Sequence, residues 1–231
     1  MMKTAFAALA ALTLVACSPE PAQETSGPAA AAPPPVVADP GPAPTEAPPV
    51  AETEPGEDAL WKALATAGDK DRLARLPDAW RRALDDADHL FGAHIDAMSL
   101  LLAPNGALAG NLQPPPGKYA CRTIKIGGDP AYIVYGWFTC TVELTPGGDL
   151  ILTKTTGSQR SRGLLFPDSD KRLVFLGAQA WGEDETDYPA YGANPERDQI
   201  GVVERVGTNR WRLVLPWPKQ ESKLDVLELK R

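Results

Sequence analysis

The hydrophobic pattern changes its period once along the chain. From residue 59 to residue 102, apolar residues recur at intervals of three and four, which is the spacing of amphipathic helices. Asp58 can cap a first helix around Trp61, and a second short helix is predicted over residues 69–76. Pro77 then suits the first turn of a long amphipathic helix. The apolar stripe of that helix comprises Trp80, Leu84, Ala87, Leu90, Phe91, His94, Ile95, Met98, Leu101 and Leu102.

After about residue 117 the pattern becomes short strands separated by turns rich in Gly, Pro, Asp and Asn. The connections are mostly too short to contain crossover helices, so the strands are predicted to pair antiparallel. About eight strands at this spacing favour a barrel or a sharply curved sheet. The predicted strands are 119–126, 131–144, 150–156, 163–166, 173–181, 199–206, 211–215 and 224–229.

Together these patterns predict an α+β fold, in which N-terminal helices pack on the antiparallel sheet or barrel. Residues 59–231 are predicted to form one globular domain, with a helical part over 59–112 and a β part over 118–231. Alternation puts Trp211, Leu213 and Leu215 on one face of a strand and the neighbouring arginines on the other. In the second strand, one face is predicted to carry Val134, Phe138, Cys140, Val142 and Leu144.

The first seventeen residues have the pattern of an export signal. Lys3 precedes a twelve-residue apolar stretch, which suits a signal peptide and is too short to span a bilayer. The stretch ends Leu14-Val15-Ala16-Cys17, which closely resembles the lipobox of bacterial lipoproteins. The resemblance implies a signal peptide over 1–16 and a lipid on Cys17 that anchors the protein to a membrane. The alternative is an ordinary secretory peptide with an incidental cysteine.

Composition separates a tether from the domain. Residues 18–58 contain 12 of the 24 prolines and eight acidic residues, with no Lys or Arg. They have few large apolar side chains, so 17–58 is predicted to be a lipidated cysteine followed by a disordered tether. The remaining 59–231 carry 22 acidic and 22 basic residues, a balance that argues against a nucleic-acid partner. Ser18 follows the cysteine, and this favours the periplasmic face of the outer membrane over the inner membrane.

The remaining cysteines, Cys121 and Cys140, lie on consecutive predicted strands of an exported chain, so we predict a disulfide between them. The alternative is a redox or metal pair, although their spacing does not resemble CxxC. His89 and His94 are five residues apart on one helix, whereas zinc sites favour four. The acidic run over 183–187 lacks the spacing of a calcium loop. No metal or cofactor is therefore predicted.

Two polar segments are candidates for a ligand site or for a structural cluster. Ser158, Gln159 and Arg160 follow a strand, but they lack the Gly-x-Ser-x-Gly pattern of a nucleophile elbow. Glu196, Arg197 and Asp198 precede another strand. Their charges can pair with Arg160 or Arg162 inside the fold, or they can bind the carboxylate of a ligand.

Aromatic residues suggest a second kind of site. Trp137, Trp181, Trp211 and Trp217 lie in or beside predicted strands. Core packing explains most such residues, but aromatic side chains also line the ligand pockets of barrels. These four tryptophans are therefore candidates for a pocket that takes a small apolar ligand.

With these segments in view, the domain resembles a family of bacterial exported proteins catalogued as domain of unknown function 4893. The resemblance covers about residues 59–231 and implies no activity and no catalytic residue. A looser likeness to calycin-type barrels concerns shape alone. The matching segments are Lys118–Lys125, Trp137–Cys140, Thr156–Arg160, Leu173–Gly177, Glu196–Arg205, Arg210–Pro218 and Glu221–Leu229.

The sequence therefore favours a non-enzymatic, lipid-anchored binding or interaction module of the periplasm. Its partner is predicted to be a small apolar ligand or another envelope protein. One alternative is a hydrolase in which Glu196 or Asp198 works with an acid of residues 183–187. The two carboxylates would then have to lie about 5–10 Å apart in a cleft. The other is a structural protein of the envelope.

Overall fold

A computed structural model describes residues 57–231, with side chains from Leu60 onward. The predicted signal peptide, Cys17 and the tether up to residue 56 lie outside the described residues. No helix in the described range is both long enough and apolar enough to cross a membrane.

Four helices precede the strands, as the helical period predicts. Thr66 caps the second helix by accepting a hydrogen bond from the Asp69 amide at 3.2 Å. The predicted long helix is interrupted at Met98, so its last turn forms a separate short helix. The helices are α1 Glu57–Leu64, α2 Ala67–Ala74, α3 Leu76–Ala97 and α4 Ser99–Leu102.

Nine strands follow, and eight of them close into an antiparallel barrel. The order around the barrel is β1-β3-β4-β5-β6-β7-β8-β9, and β9 pairs back onto β1. This closed barrel confirms the predicted fold class and agrees with the calycin-like description of its shape. The strands are β1 Gly117–Ile126, β2 Tyr132–Val134, β3 Phe138–Leu144, β4 Leu150–Lys154, β5 Arg160–Pro167, β6 Leu173–Ala180, β7 Asp198–Gly207, β8 Arg210–Pro216 and β9 Leu224–Lys230.

Alternate residues of each strand point into the barrel, where they form one apolar cluster. The predicted disulfide joins Cys121 on β1 to Cys140 on β3 and lies within this cluster. The predicted faces of β8 are confirmed, since Trp211, Leu213 and Leu215 belong to the interior. The interior also contains Tyr119, Val142, Leu150, Leu152, Leu165, Leu173, Phe175, Val203, Leu227 and Leu229.

The helices cover the outer face of β1 and of β5 to β9, forming a second apolar cluster with the outward residues of those strands. At Gly127, which follows β1, a Cβ atom would lie 2.7 Å from the Ala83 Cα, so the absence of a side chain there lets α3 approach the barrel. The predicted stripe is buried at Trp80 and Ala87. Leu90 is 77% exposed, and the prediction that it packs on the sheet is wrong.

The predicted strand 131–144 is broken into β2 and β3 by residues 135–137. β2 pairs with the end of β1, while β3 pairs with its beginning and with β4. Because the strand is interrupted, its residues do not share one buried face. Cys140 and Val142 point inward, but Val134 is exposed and Leu144 is 60% exposed.

Candidate functional site

The side chains that point into the barrel are apolar along most of its length and polar or charged at one end, which we call the polar end. It is the end at which β1 finishes and β9 begins. Lys125 on β1, Lys154 on β4, Gln199 on β7 and Asp225 on β9 continue the inward rows and are all buried. Charged residues are seldom buried unless they are paired, so this cluster differs from the apolar remainder of the interior.

A cavity of about 210 Å³ opens at the polar end, and we call it the barrel mouth. Tyr135, which lies in the break between β2 and β3, and Phe138, the first residue of β3, form part of its wall. The interrupted strand, which the alternation pattern did not predict, therefore forms part of the opening. The mouth is lined by Thr123, Lys125, Tyr135, Phe138, Lys154, Ser158, Gln159 and Glu221.

One of the two lysines in the mouth has acidic partners. The Lys125 Nζ lies 2.7 Å from a Glu221 carboxylate oxygen and 3.8 Å from an Asp225 carboxylate oxygen. Burial raises the pKa of Asp225 to about 6, and the positive charge of Lys125 offsets that rise in part. The hydrogen bond from Lys125 lowers the pKa of the Glu221 carboxyl, so this group is ionised at neutral pH. These two carboxylates thus share a single ammonium group.

The second lysine, Lys154, is bound by neutral groups. Its Nζ donates to the Ser158 carbonyl oxygen at 2.8 Å and to the Gln159 carbonyl oxygen at 3.4 Å, and it lies 4.2 Å from the centre of the Phe138 ring. None of the ion pairs found among residues 57–231 includes Lys154. Burial and, to a smaller extent, the positive charge of Arg160 together lower the pKa of Lys154 to about 8, while the negative charge of Glu183 opposes this change. Lys154 is therefore a buried cation with no carboxylate within 4 Å among the described residues.

The rim of the mouth carries backbone strain. Gln159 has φ 48°, and Trp217 and Glu221, in the β8–β9 connection, have φ 48° and 68°. Non-glycine residues seldom adopt this left-handed conformation, and such residues are frequent at binding and active sites. The Gln159 side chain also donates to the Gln220 amide oxygen at 3.1 Å, and this contact joins the two strained segments.

Buried polar atoms without partners gather at the same end. Among the described residues, four buried side-chain atoms have no hydrogen-bond partner, and three of them, Arg160 Nε, Asp198 Oδ2 and Gln199 Oε1, belong to residues at or beside the polar end; the fourth is Thr153 Oγ1. Asp198 and Gln199 line a narrow cavity together with Lys125 and Asp225. Native proteins leave few such atoms unpaired, so their concentration here is a second indication of a functional region.

The structure places both predicted polar segments at the polar end but does not pair them as predicted. Ser158 and Gln159 line the mouth. Arg160 donates instead to the backbone carbonyls of Gly182 and Glu185, so it does not form the pair with the second segment that was one of the alternatives. Arg160 is bound in this way because the loop after β6 folds over its side chain and supplies the two carbonyl oxygens.

The second polar segment, residues 196–198, forms ion pairs and hydrogen bonds with other parts of the chain. Glu196 lies 3.6 Å from the Lys219 Nζ, and the Arg197 guanidinium pairs with Glu185 and stacks on the Trp181 ring at 4.2 Å. The hydrogen bond from Arg197 lowers the pKa of Glu185. Of the acids proposed for hydrolysis, Glu196 and Glu185 thus pair with cations of this chain.

Asp198 faces the helices. Its Oδ1 accepts a hydrogen bond from the Gly192 amide at 2.9 Å, and burial raises its pKa. Its backbone carbonyl accepts a hydrogen bond from Arg72 at 2.9 Å, which anchors α2 to the start of β7. Asp198 therefore has a clear packing role at the edge of the polar end.

The four tryptophans do not converge on one pocket. Trp211 fills the barrel interior and donates to the Leu112 carbonyl oxygen at 2.9 Å. Trp137 lies on the outside, where the Arg122 guanidinium stacks on its ring at 4.6 Å. Trp181 contacts Arg197, and Trp217 packs against the helices. Each tryptophan thus has its own packing partner.

The sequence patterns did not single out Lys125, Lys154 or Asp225 as candidate site residues. A signal for Lys125 was present, because the alternation that puts Tyr119 and Cys121 inward also puts Lys125 inward. A charged residue in an inward position of a barrel strand is unusual and marks a candidate site. The described residues contain no group of three or more His, Cys, Asp or Glu side chains placed to bind a metal ion.

Comparison with known proteins identifies the family. A sequence profile described as "Domain of unknown function (DUF4893)" matches residues 61–229. The chain belongs to this family. The match extends from α1 to β9, so the barrel with its helices is the DUF4893 domain, and the resemblance found in the sequence is confirmed. Neither the curated proteins nor the solved structures contain a match to the chain.

Proposed function

We propose that this protein is a lipid-anchored binding module of the bacterial cell envelope, and that it binds a small molecule in the barrel mouth. The observation that carries the proposal is the position of Lys154, a buried ammonium group beside an open cavity and, within residues 57–231, without a carboxylate in ion-pair distance. Burying such a charge costs free energy, and proteins often retain such costs where binding requires them.

The proposed location rests on two features. The segment Leu14-Val15-Ala16-Cys17 resembles a lipobox. The disulfide between Cys121 and Cys140 favours an oxidising compartment such as the periplasm.

Native mass spectrometry of the full-length protein, extracted from membranes in mild detergent, tests the binding proposal. We expect an additional small mass that is released on unfolding. The Lys154→Met variant should lose this mass, whereas Lys70→Met, which changes an exposed lysine on α2, should keep it. A fragment screen by NMR on the emptied protein gives a second readout, with shift changes expected at the mouth. If the protein shows neither an additional mass nor any fragment bound at the mouth, the binding proposal is wrong.

The anchor is tested separately. Cells grown with radiolabelled palmitate should label the protein, and Cys17→Ala should abolish both the label and membrane association. Label that persists in Cys17→Ala would contradict the lipobox interpretation and would leave the binding proposal unaffected.

A further inference from the structure

We infer that the ligand of the barrel mouth is a small monocarboxylate, whose carboxylate pairs with Lys154 and whose apolar part contacts Phe138 and Tyr135. This inference rests on the proposed binding function and names its ligand class. Three observations carry it, namely the distribution of charge in the mouth, the chemistry of its walls and its size.

The charges in the mouth leave one cation available. Glu221 and Asp225 are both directed at Lys125, at 2.7 and 3.8 Å. Lys154 uses two of its three N–H donors on carbonyl oxygens, so one donor is free for a ligand. A ligand with a single negative charge satisfies this donor and neutralises the charge. A phosphate dianion would bring a second negative charge close to Glu221 without a cation to match it.

The walls combine hydroxyl and aromatic groups. Thr123 and Ser158 line the mouth, and side-chain hydroxyls of this kind can donate hydrogen bonds to a carboxylate. Phe138 and Tyr135 supply aromatic surface for an apolar group. The cavity of about 210 Å³ is smaller than the pockets of drug-sized ligands, which are about 300–1,000 Å³. A short aliphatic or single-ring acid matches this space.

The probes that test the inference are acetate, propionate and benzoate, each compared with its neutral amide by calorimetry and NMR on the full-length protein. We expect benzoate to bind more tightly than acetate, because its ring reaches the aromatic wall. Benzamide should bind at least about tenfold more weakly than benzoate, since it cannot form the charge-assisted hydrogen bond. Equal binding of acid and amide would overturn the carboxylate inference while supporting a ligand site at the mouth.

Two variants change the charge of the mouth in opposite directions. Lys154→Met should weaken benzoate binding by about ten- to a hundredfold, the effect of losing one charge-assisted bond. Glu221→Gln removes a negative charge from the wall and should tighten binding by about two- to fivefold. A damaged fold would weaken binding in both variants, so a tighter Glu221→Gln complex distinguishes the electrostatic effect. Unchanged binding in Lys154→Met would overturn the inference.

The pH profile of the unmodified protein provides a further test that needs no variant. The charged groups that face Lys154 are Lys125, Arg160, Glu183 and Glu221. Because the pKa of Lys154 is about 8, its ammonium form is the main form at pH 7 and a minor one at pH 9. Benzoate stays ionised throughout, so its affinity should fall about tenfold between these pH values. A flat profile would exclude Lys154 as the ion partner.

The outcomes separate the two proposals. If no carboxylate binds but the native protein holds a neutral molecule at the mouth, the ligand class is wrong and the binding function stands. If neither carboxylates nor any other molecule binds there, both proposals are wrong.

Discussion

Arg212 on β8 and Glu204 on β7 form an ion pair on the outer face of the barrel, with the Arg212 Nη2 2.6 Å from the Glu204 Oε2. The pair lies under the helices that cover this face. The Arg212 side chain is fully buried, and it also donates to the carbonyl oxygens of Leu101 and Ala103 at 2.6 and 2.7 Å. Leu101 lies in the last turn of α4 and Ala103 is its C-cap, where carbonyl oxygens lack partners within the helix; the Ala103 oxygen also accepts from the Gly106 amide. One guanidinium thus joins two strands to the end of a helix.

The first prediction concerns this ion pair. Arg212→Met should lower the free energy of unfolding by about 3–5 kcal/mol, because Glu204 and the α4 carbonyls lose their donor. Urea denaturation measures the change. Arg81→Met is the control, since Arg81 and Asp78 form a solvent-exposed pair whose loss should change stability far less. Equal effects of the two substitutions would contradict the role of Arg212.

A second prediction concerns the disulfide inside the barrel. The bond between Cys121 and Cys140 closes a loop with a sequence separation of 19. In the chain-entropy description, closing such a loop stabilises the fold by about 3 kcal/mol. Cys121→Ala/Cys140→Ala should therefore unfold at lower urea concentration than the oxidised protein, and reduction of the unmodified protein should act in the same direction. A double variant as stable as the oxidised protein would contradict this prediction.

The third prediction concerns two glycines that face each other across β5 and β6. Gly163 pairs with Gly177, and the Phe175 ring packs over both. A Cβ on Gly177 would lie 2.3 Å from the Arg162 carbonyl oxygen and 2.6 Å from the Phe175 ring. Gly177→Ala should therefore cost about 1–3 kcal/mol of unfolding free energy through overpacking.

Gly136 offers a matched control for that substitution. A Cβ there meets nothing within 4 Å, so Gly136→Ala should change the unfolding free energy by no more than about 0.5 kcal/mol. Thermal unfolding followed by circular dichroism compares the two variants. If Gly177→Ala is as stable as Gly136→Ala, the packing of Phe175 does not depend on the glycine pair.

The fourth prediction concerns Asp225, whose pKa is raised to about 6 by burial. The folded pKa lies above the ordinary value of 3.8, so folding favours the protonated carboxyl. The stability contribution of Asp225 should be complete below pH 3.8 and should be lost as the pH rises through 6. A carboxyl carbon NMR titration should give a midpoint near 6 for Asp225.

Asp225→Asn checks this linkage through stability. The unfolding free energy of the unmodified protein should rise relative to the variant by roughly 2–3 kcal/mol between pH 7 and pH 4. A difference that stays constant over this range, or a titration midpoint near 4, would show that the carboxyl is better solvated than its buried position implies.

Errors in the sequence-based predictions arose where tertiary contacts override local pattern. Leu90 continues the apolar period of α3, yet it is exposed, because a periodic pattern does not reveal how far along a helix the supporting sheet extends. Leu144 follows the alternation of β3 but lies at its end and is also exposed. The four tryptophans were candidates for a pocket because they lie in or beside strands, and core packing was the alternative; the structure gives each of them a separate packing partner.

The sequence by itself determined the local features, namely the succession of helices and strands, the inward and outward faces of β8, and the two cysteines on adjacent strands. These depend on periodicity and on neighbours along the chain. Only the tertiary structure decided the closure of β9 onto β1, which sets Lys125 directly opposite Asp225. Those residues are far apart in sequence, and no local pattern specifies their pairing. The barrel mouth and the isolated charge of Lys154 follow from that closure and from the break between β2 and β3.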